Sequence, residues 1–276
     1  MKKIIRFLSI LIIAVMLSQC DLNVVPSDAL TGTQVAASSD GLPSLLNGCY
    51  AQFKDFPDAN QANNWYLRQY YHLSEFASDD ILCAYKTEDD LINSFRYADR
   101  TPEKSNINSF WAVSYKIIYG ANVAIGIADK KGSDALTNQL KGEAYFLRAF
   151  ATHNLVRLFA KPYTQANVSA DPGVIIRENA SDGQFKARAS LENTYAYIIS
   201  SLKTAANLMN TNIPSERASV GFVSKYAVWA LLSRVYLYKG DYNNCIAYSD
   251  SVINSGIFSI TACASLIFIP SRSAIE

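Results

Sequence analysis

Histidine is scarce in this chain of 276 residues, which holds only His72 and His153. The two are far apart and outside any His-Glu-x-x-His pattern, so nothing supports a zinc hydrolase. No Gly-x-Ser-x-Gly elbow and no phosphate-cradling glycine loop occurs either. The cysteines Cys20, Cys49, Cys83, Cys245 and Cys263 match no zinc or redox spacing and are too few for a disulfide scaffold. Beyond the first twenty residues, no stretch reads as long and apolar enough to span a bilayer. A surplus of positive charge is missing as well. Three of the 25 basic residues precede Cys20 while all 24 acidic ones follow it, which leaves 22 against 24 and a net charge of −2. Nucleic acid is therefore not an expected partner, because nothing neutralises phosphates. Glu75, Asp79 and Asp80, or Asp89 and Asp90, could in principle be catalytic carboxylates, but they read as solvated runs beside helix ends. No cofactor or metal is expected, and the chain reads as a binding protein, not an enzyme.

What is present begins at the amino terminus. Lys2, Lys3 and Arg6 precede an apolar run from Phe7 to Leu17 that is broken only by Ser9. It is shorter than a membrane span and fits a secretory signal. The run ends in Leu17-Ser18-Gln19-Cys20, which suits a lipoprotein signal peptidase except that Gln19 is larger than usual. Residues 1–19 are read as a lipoprotein signal peptide, and 20–38 as the lipidated Cys20 with a polar tether. Acyl chains on Cys20 would anchor the chain without a spanning helix.

From residue 39 onward helical periodicity dominates. Asp40 reads as an N-cap for a helix bearing Leu42, Leu45, Leu46, Cys49 and Phe53 on one face, and a second helix is expected over 64–77. Trp111, Tyr115, Ile118 and Asn122 form one stripe of a third. Over 138–159, Leu140, Ala144, Leu147, Ala151, Leu155 and Leu158 recur at steps of three and four, with Tyr145, Phe146 and Phe150 on the other side. Such a helix must be sandwiched between neighbours. Residues 161–188 form a long loop, a length often functional in a compact domain. Helices are expected again over 191–209, 220–239 and 242–254. Cys49 and Cys245 fall where packing wants a small residue, and Arg148 and Arg157 read as pairing with carboxylates or covering helix ends.

The last helix pair carries the most specific pattern. Trp229, Leu232, Ser233 and Tyr236, the turn Gly240-Asp241-Tyr242, then Cys245 and Val252 have tetratricopeptide-repeat spacing. Small residues at Ser233 and Cys245 permit close helix approach, Trp229 and Tyr236 wedge between neighbours, and Gly240 ends the first helix in a left-handed turn. Ser249 stands where an aromatic is usual. One hairpin cannot bury both faces, so others must stack on it. The fold class is mostly α, a tetratricopeptide-like helical repeat. For ligand contact, the aromatic cluster at Trp65 and Tyr66 with Asn64 is the local candidate, since sugar rings stack on flat aromatic faces and amides bond hydroxyls.

Four stretches carry a family likeness: Cys20-Asp21-Leu22, WAVSYKIIYGANVAI at 111–125, KGEAYFLRAFATHNLVRLF at 141–159, and SKYAVWALLSRVYLYKGDYNNCIAYSDSVI at 224–253. With them the chain resembles the SusD/RagB family of outer-membrane lipoproteins. The resemblance implies a SusD-like α-α superhelix and a lipid-anchored position at the outer-membrane surface. It also implies a TonB-dependent (SusC-like) transporter as partner, and capture of an oligosaccharide or other nutrient on the loop-rich face. Family members are longer, so residues 39–276 are expected to be the helical-repeat domain without the C-terminal ligand-binding part. A tethered helical scaffold that binds only protein is the alternative.

Overall fold

The computed structural model describes residues 32–54, 66–78, 80–81, 91–98, 101, 103–182 and 185–258. The described residues up to Gly41 belong to a unit of their own, which holds α1 (Gly32–Ala37). Eight further helices follow among the described residues: α2 (Gly41–Ala51), α3 (Tyr66–Ser74), α4 (Leu91–Phe95), α5 (Ser105–Lys131), α6 (Ala135–Phe159), α7 (Leu191–Leu208), α8 (Lys225–Lys239) and α9 (Tyr242–Ile253). No strand occurs among the described residues; one isolated antiparallel bridge joins Pro172 and Ser190.

Helices α5 to α9 pack each on the next in chain order, and α3 rests on α5. This is the stacked-hairpin architecture that the repeat spacing predicts. Local chemistry sets the helix ends. The Asp134 carboxylate accepts the amides of Leu136 and Thr137, both at 3.0 Å, and so caps α6. Ser190 and Asp241 do the same for α7 and α9. Helix α8 begins five residues later than the periodicity indicates, because the Ser224 hydroxyl caps Ala227 while Val220 stands in solvent. Gly240 stops α8 at φ 78°, the left-handed region.

Helix α6 is the core of the stack. Leu140, Ala144, Leu147, Ala151 and Leu155 are all at most 2% exposed. Each of its three buried leucines contributes roughly 1.5–3 kcal/mol. Tyr145, Phe146 and Phe150 on the other side are half-buried. Helix α5 departs from expectation: by length and composition it is long and apolar enough to cross a membrane. Of its apolar window, 56% is buried inside the fold, which marks a core helix.

At the α8–α9 hairpin the Ser233 hydroxyl donates to the Cys245 carbonyl at 3.0 Å and meets the Ser249 hydroxyl at 2.7 Å. The serine in the place of an aromatic thus closes a polar contact between two helices drawn close. Tyr236 is buried and stacks on Tyr248 at 5.7 Å; Trp229 is half-buried, its ring 5.6 Å from Tyr226. Cys49 and Cys245 are free thiols, and burial pushes Cys49 up to about 11, so it is inert packing.

A buried ionic knot ties α2 and α6 to the segment between α7 and α8. Arg217 pairs with Glu143, and both side chains are almost wholly out of solvent. Glu143 also accepts from Tyr50 at 2.9 Å and from Gln139 at 3.0 Å, while Arg217 donates to Asn47 at 2.9 Å and lies 3.4 Å over the Phe222 ring. Both charged groups of the knot are engaged, as a buried pair requires, while Gln139 Oε1 beside them has no hydrogen-bond partner.

Candidate ligand-binding site

Helix α5 presents Trp111, Tyr115 and Tyr119 at successive steps of four, with Asn122 three residues on, so all lie along one face. Segment 175–182 of the long loop runs opposite them. Between the two lies a pocket of about 550 Å³, lined by those side chains and by Ile175, Arg177, Asn179, Ala180 and Asp182. Its size is inside the ~300–1,000 Å³ typical of small-molecule sites. Tyr119 is 58% exposed at the rim, and Trp111 is half-buried, its ring 5.0 Å from Tyr115 and 4.9 Å from Phe159.

The loop has no strand partner over this wall, so side chains satisfy its backbone. The Tyr115 hydroxyl accepts from the Ile175 amide and donates to the Ile175 carbonyl, each at 3.0 Å. Burial pushes the Tyr115 hydroxyl up to about 12, which keeps that proton in place. The Arg177 carbonyl accepts from Asn122 Nδ2 at 2.9 Å and from the Tyr197 hydroxyl at 2.6 Å. At the loop tip the Asp182 carboxylate accepts the Glu178 amide at 2.9 Å and pairs with Lys186 at 3.3 Å. Gly173 admits the loop against α7, since a Cβ there would lie 2.0 Å from Thr194 Oγ1.

Arg148 stands behind this wall, and its role differs from expectation. It pairs with no carboxylate among the described residues. Its Nη1 donates to Asn122 Oδ1 at 2.9 Å and to the Glu178 carbonyl at 3.3 Å, and Nη2 donates to Ser201 at 3.0 Å. The guanidinium lies between the Tyr145 and Tyr197 rings, 4.7 and 4.9 Å from their centroids. Two aromatic faces and three neutral acceptors replace a counter-ion. By holding Asn122 Oδ1, Arg148 turns the amide so that its Nδ2 faces the loop.

The residues picked from sequence fare differently. Tyr66 is corrected: it is 1% exposed, its ring lies 4.8 Å from both Phe53 and Phe110, and its hydroxyl accepts from Asn154 at 2.9 Å. It is core because the α3–α5 contact closes over it. Trp65, Asn64 and Cys20 lie outside the described residues. His153 is packed at 1% exposed; burial first, then Arg157 and Arg234, pushes its imidazole down to about 3. It is no general base. The pocket itself escaped the sequence reading, which took Trp111, Tyr115 and Asn122 for a packing stripe. The signal was Tyr119, which extends the aromatic row onto exposed surface, together with the length of the loop.

This arrangement defines a helical-repeat protein with an aromatic-walled, polar-edged pocket, and similarity to known proteins gives the class its name. Residues 41–237 match the SusD-like family model described as "Starch-binding associating with outer membrane". The chain belongs to the SusD/RagB family. It is 31% identical over 166 residues to SusD-like protein P2 of Formosa agariphila, covering 59% of this chain and 30% of that one. SusD-like protein P38 of the same organism is 28% identical over 265 residues, covering 93% and 46%. A SusD-like carbohydrate binding protein from Bacteroides vulgatus shares the fold, with TM-score 0.69 at 20% identity over 80% of this chain and 45% of that one. The chain thus spans less than half the length of these relatives.

Proposed function

We propose that this chain is an outer-membrane lipoprotein, anchored through Cys20, that binds a glycan for uptake by a TonB-dependent transporter. The observation that carries glycan binding is the Trp111–Tyr115–Tyr119 row facing a loop edged by Arg177, Asn179 and Asp182. Pyranose rings have apolar C–H faces and hydroxyl rims, so a wall of aromatic faces opposite polar side chains suits them. The family's description as starch-binding at the outer membrane supports this reading, as does the carbohydrate-binding relative from B. vulgatus. Binding, not bond cleavage, is the activity. Trp65 and Asn64 are kept as further candidates for sugar contact.

Native affinity gels that contain a panel of polysaccharides test the proposal. Retardation by at least one glycan, relieved in Trp111→Ala, is expected; migration unchanged by every polysaccharide sinks it. Detergent-free fractionation of Cys20→Ser, which should release a soluble product, tests the anchor. A second reading, a scaffold that binds only protein, is favoured by one observation: Tyr242, Ile246 and Ile253 form an apolar row on α9 that is 59–63% exposed.

A further inference from the structure

A second cluster of aromatic and charged side chains lies outside the pocket, where α3, α6 and α8 meet. Arg157 of α6 donates to the Tyr70 hydroxyl of α3 at 3.0 Å, and its guanidinium lies 4.9 Å over the ring of Tyr238 from α8. Tyr238 is 40% exposed, and Arg234, one turn earlier on α8, is exposed. Lys239 adds a third cation beside Tyr163. Among the described residues, neither Arg157 nor Arg234 forms an ion pair with a carboxylate.

Beneath them His153 is buried against Tyr238 and Tyr195, and its Nε2 has no hydrogen-bond partner. Both arginines act on it. The charged groups that act on it are the cations Arg157 of α6 and Arg234 of α8, while two acids lie at the edge of the cluster, Glu192 beside Tyr163 and Asp241 beside Lys239. Helix-end chemistry explains Arg157 in the last turn of α6 and Lys239 at the end of α8. It does not explain Arg234, which sits in the middle of α8. Nor does it explain why a half-buried guanidinium is held by phenols when a carboxylate would stabilise it more.

We propose that this cluster is a second sugar-contact site, which takes the sulfate or carboxylate group of an acidic oligosaccharide between Arg157 and Arg234. The proposal rests on the glycan-binding reading above and adds the charge class of the glycan. The planar guanidinium of Arg157 has five N–H donors and keeps some beyond those given to Tyr70 and Tyr238, and such forks match oxyanions. The exposed part of Tyr238 meets the sugar ring that bears the anion. A bare inorganic anion would make no use of that ring.

His153 supplies a local reporter, because the chain has only 2 histidines. Its ring signals are followed by NMR in the full chain during titration at constant ionic strength. The probes are a sulfated galactan tetrasaccharide, a polygalacturonate tetrasaccharide, maltotetraose and inorganic sulfate. A saturable shift with one of the acidic oligosaccharides and none with maltotetraose is expected. Arg157→Gln should weaken that binding about tenfold or more, as loss of a charge-assisted bond does. Arg234→Gln, an exposed change that leaves the fold intact, should weaken it about threefold. The idea is overturned if both acidic oligosaccharides leave His153 unmoved, if inorganic sulfate binds as tightly as they do, or if Arg234→Gln titrates like the parent. Glycan retardation that is lost in Trp111→Ala reports the pocket separately, so the wider reading can stand while this one falls.

Discussion

Tyr115 and Ile175 are joined by two hydrogen bonds through one phenol oxygen, which accepts the Ile175 amide and donates to its carbonyl, each at 3.0 Å. The pair is the hinge pin of the pocket wall, since it fixes the loop to α5 where no strand does. Tyr115→Phe keeps the ring and strands both backbone groups. We expect a loss of about 1–3 kcal/mol and weaker glycan retention. Amide exchange at Ile175 should quicken well beyond that at core amides of α6. An unchanged rate there would show that the loop is held without the phenol.

Removing the charge of Glu143 should be far more damaging than its distance from the pocket suggests. Glu143→Gln leaves Arg217 buried beside a neutral amide in the knot. A loss of about 3–5 kcal/mol is expected for a broken buried pair. Urea denaturation measures it, and a change below about 1 kcal/mol would mean that Arg217 finds water or another acceptor.

Gly240→Ala tests the repeat turn. Its φ of 78° is costly for any residue with a Cβ, and that Cβ would sit 3.1 Å from Thr164 Cγ2. Destabilisation of roughly 1–2 kcal/mol should appear as a lower melting temperature, with the far-ultraviolet helical signal retained.

His153 gives the fold a pH signature. Its imidazole is held down at about 3 in the native state, against about 6.5 unfolded. A depressed value means the stability is whole above about 6.5 and is lost progressively as pH falls toward 3, because only the unfolded chain takes up the proton. Between pH 6.5 and 5 the loss is about 2 kcal/mol at 1.4 kcal/mol per unit. His153→Met keeps the volume without a titrating ring, and at Nε2 there is no hydrogen bond to forfeit. The difference in stability between parent and variant should change over that interval; parallel curves would show that another group is responsible.

Much of the helical framework was legible from one-dimensional pattern. The three-and-four spacing of Leu140 to Leu155 located α6 and its buried face, because a helix must hide whatever apolar stripe it carries. Gly240 and the small residues Ser233 and Cys245 announced a tight hairpin. These signals are local, depending on neighbours within a few turns of the same helix.

What the order of residues determined alone, then, was the class: helices, the glycine that ends α8, and the obligation of each hairpin to stack. Tertiary structure decided which aromatic faces a ligand could reach. Tyr66 and Tyr119 both sit on helices among other aromatics, yet one is sealed under Phe53 and Phe110 while the other stands at a pocket rim. Tyr66 is sealed where α3 packs on α5, whereas Tyr119 stands where a loop of low local regularity crosses α5, and that crossing is set by Arg148, Asn122 and Tyr197 meeting from three separate helices. Contacts between residues so distant in sequence leave no periodic trace, because exposure is a property of the assembled packing and not of the strip of chain that supplies the ring.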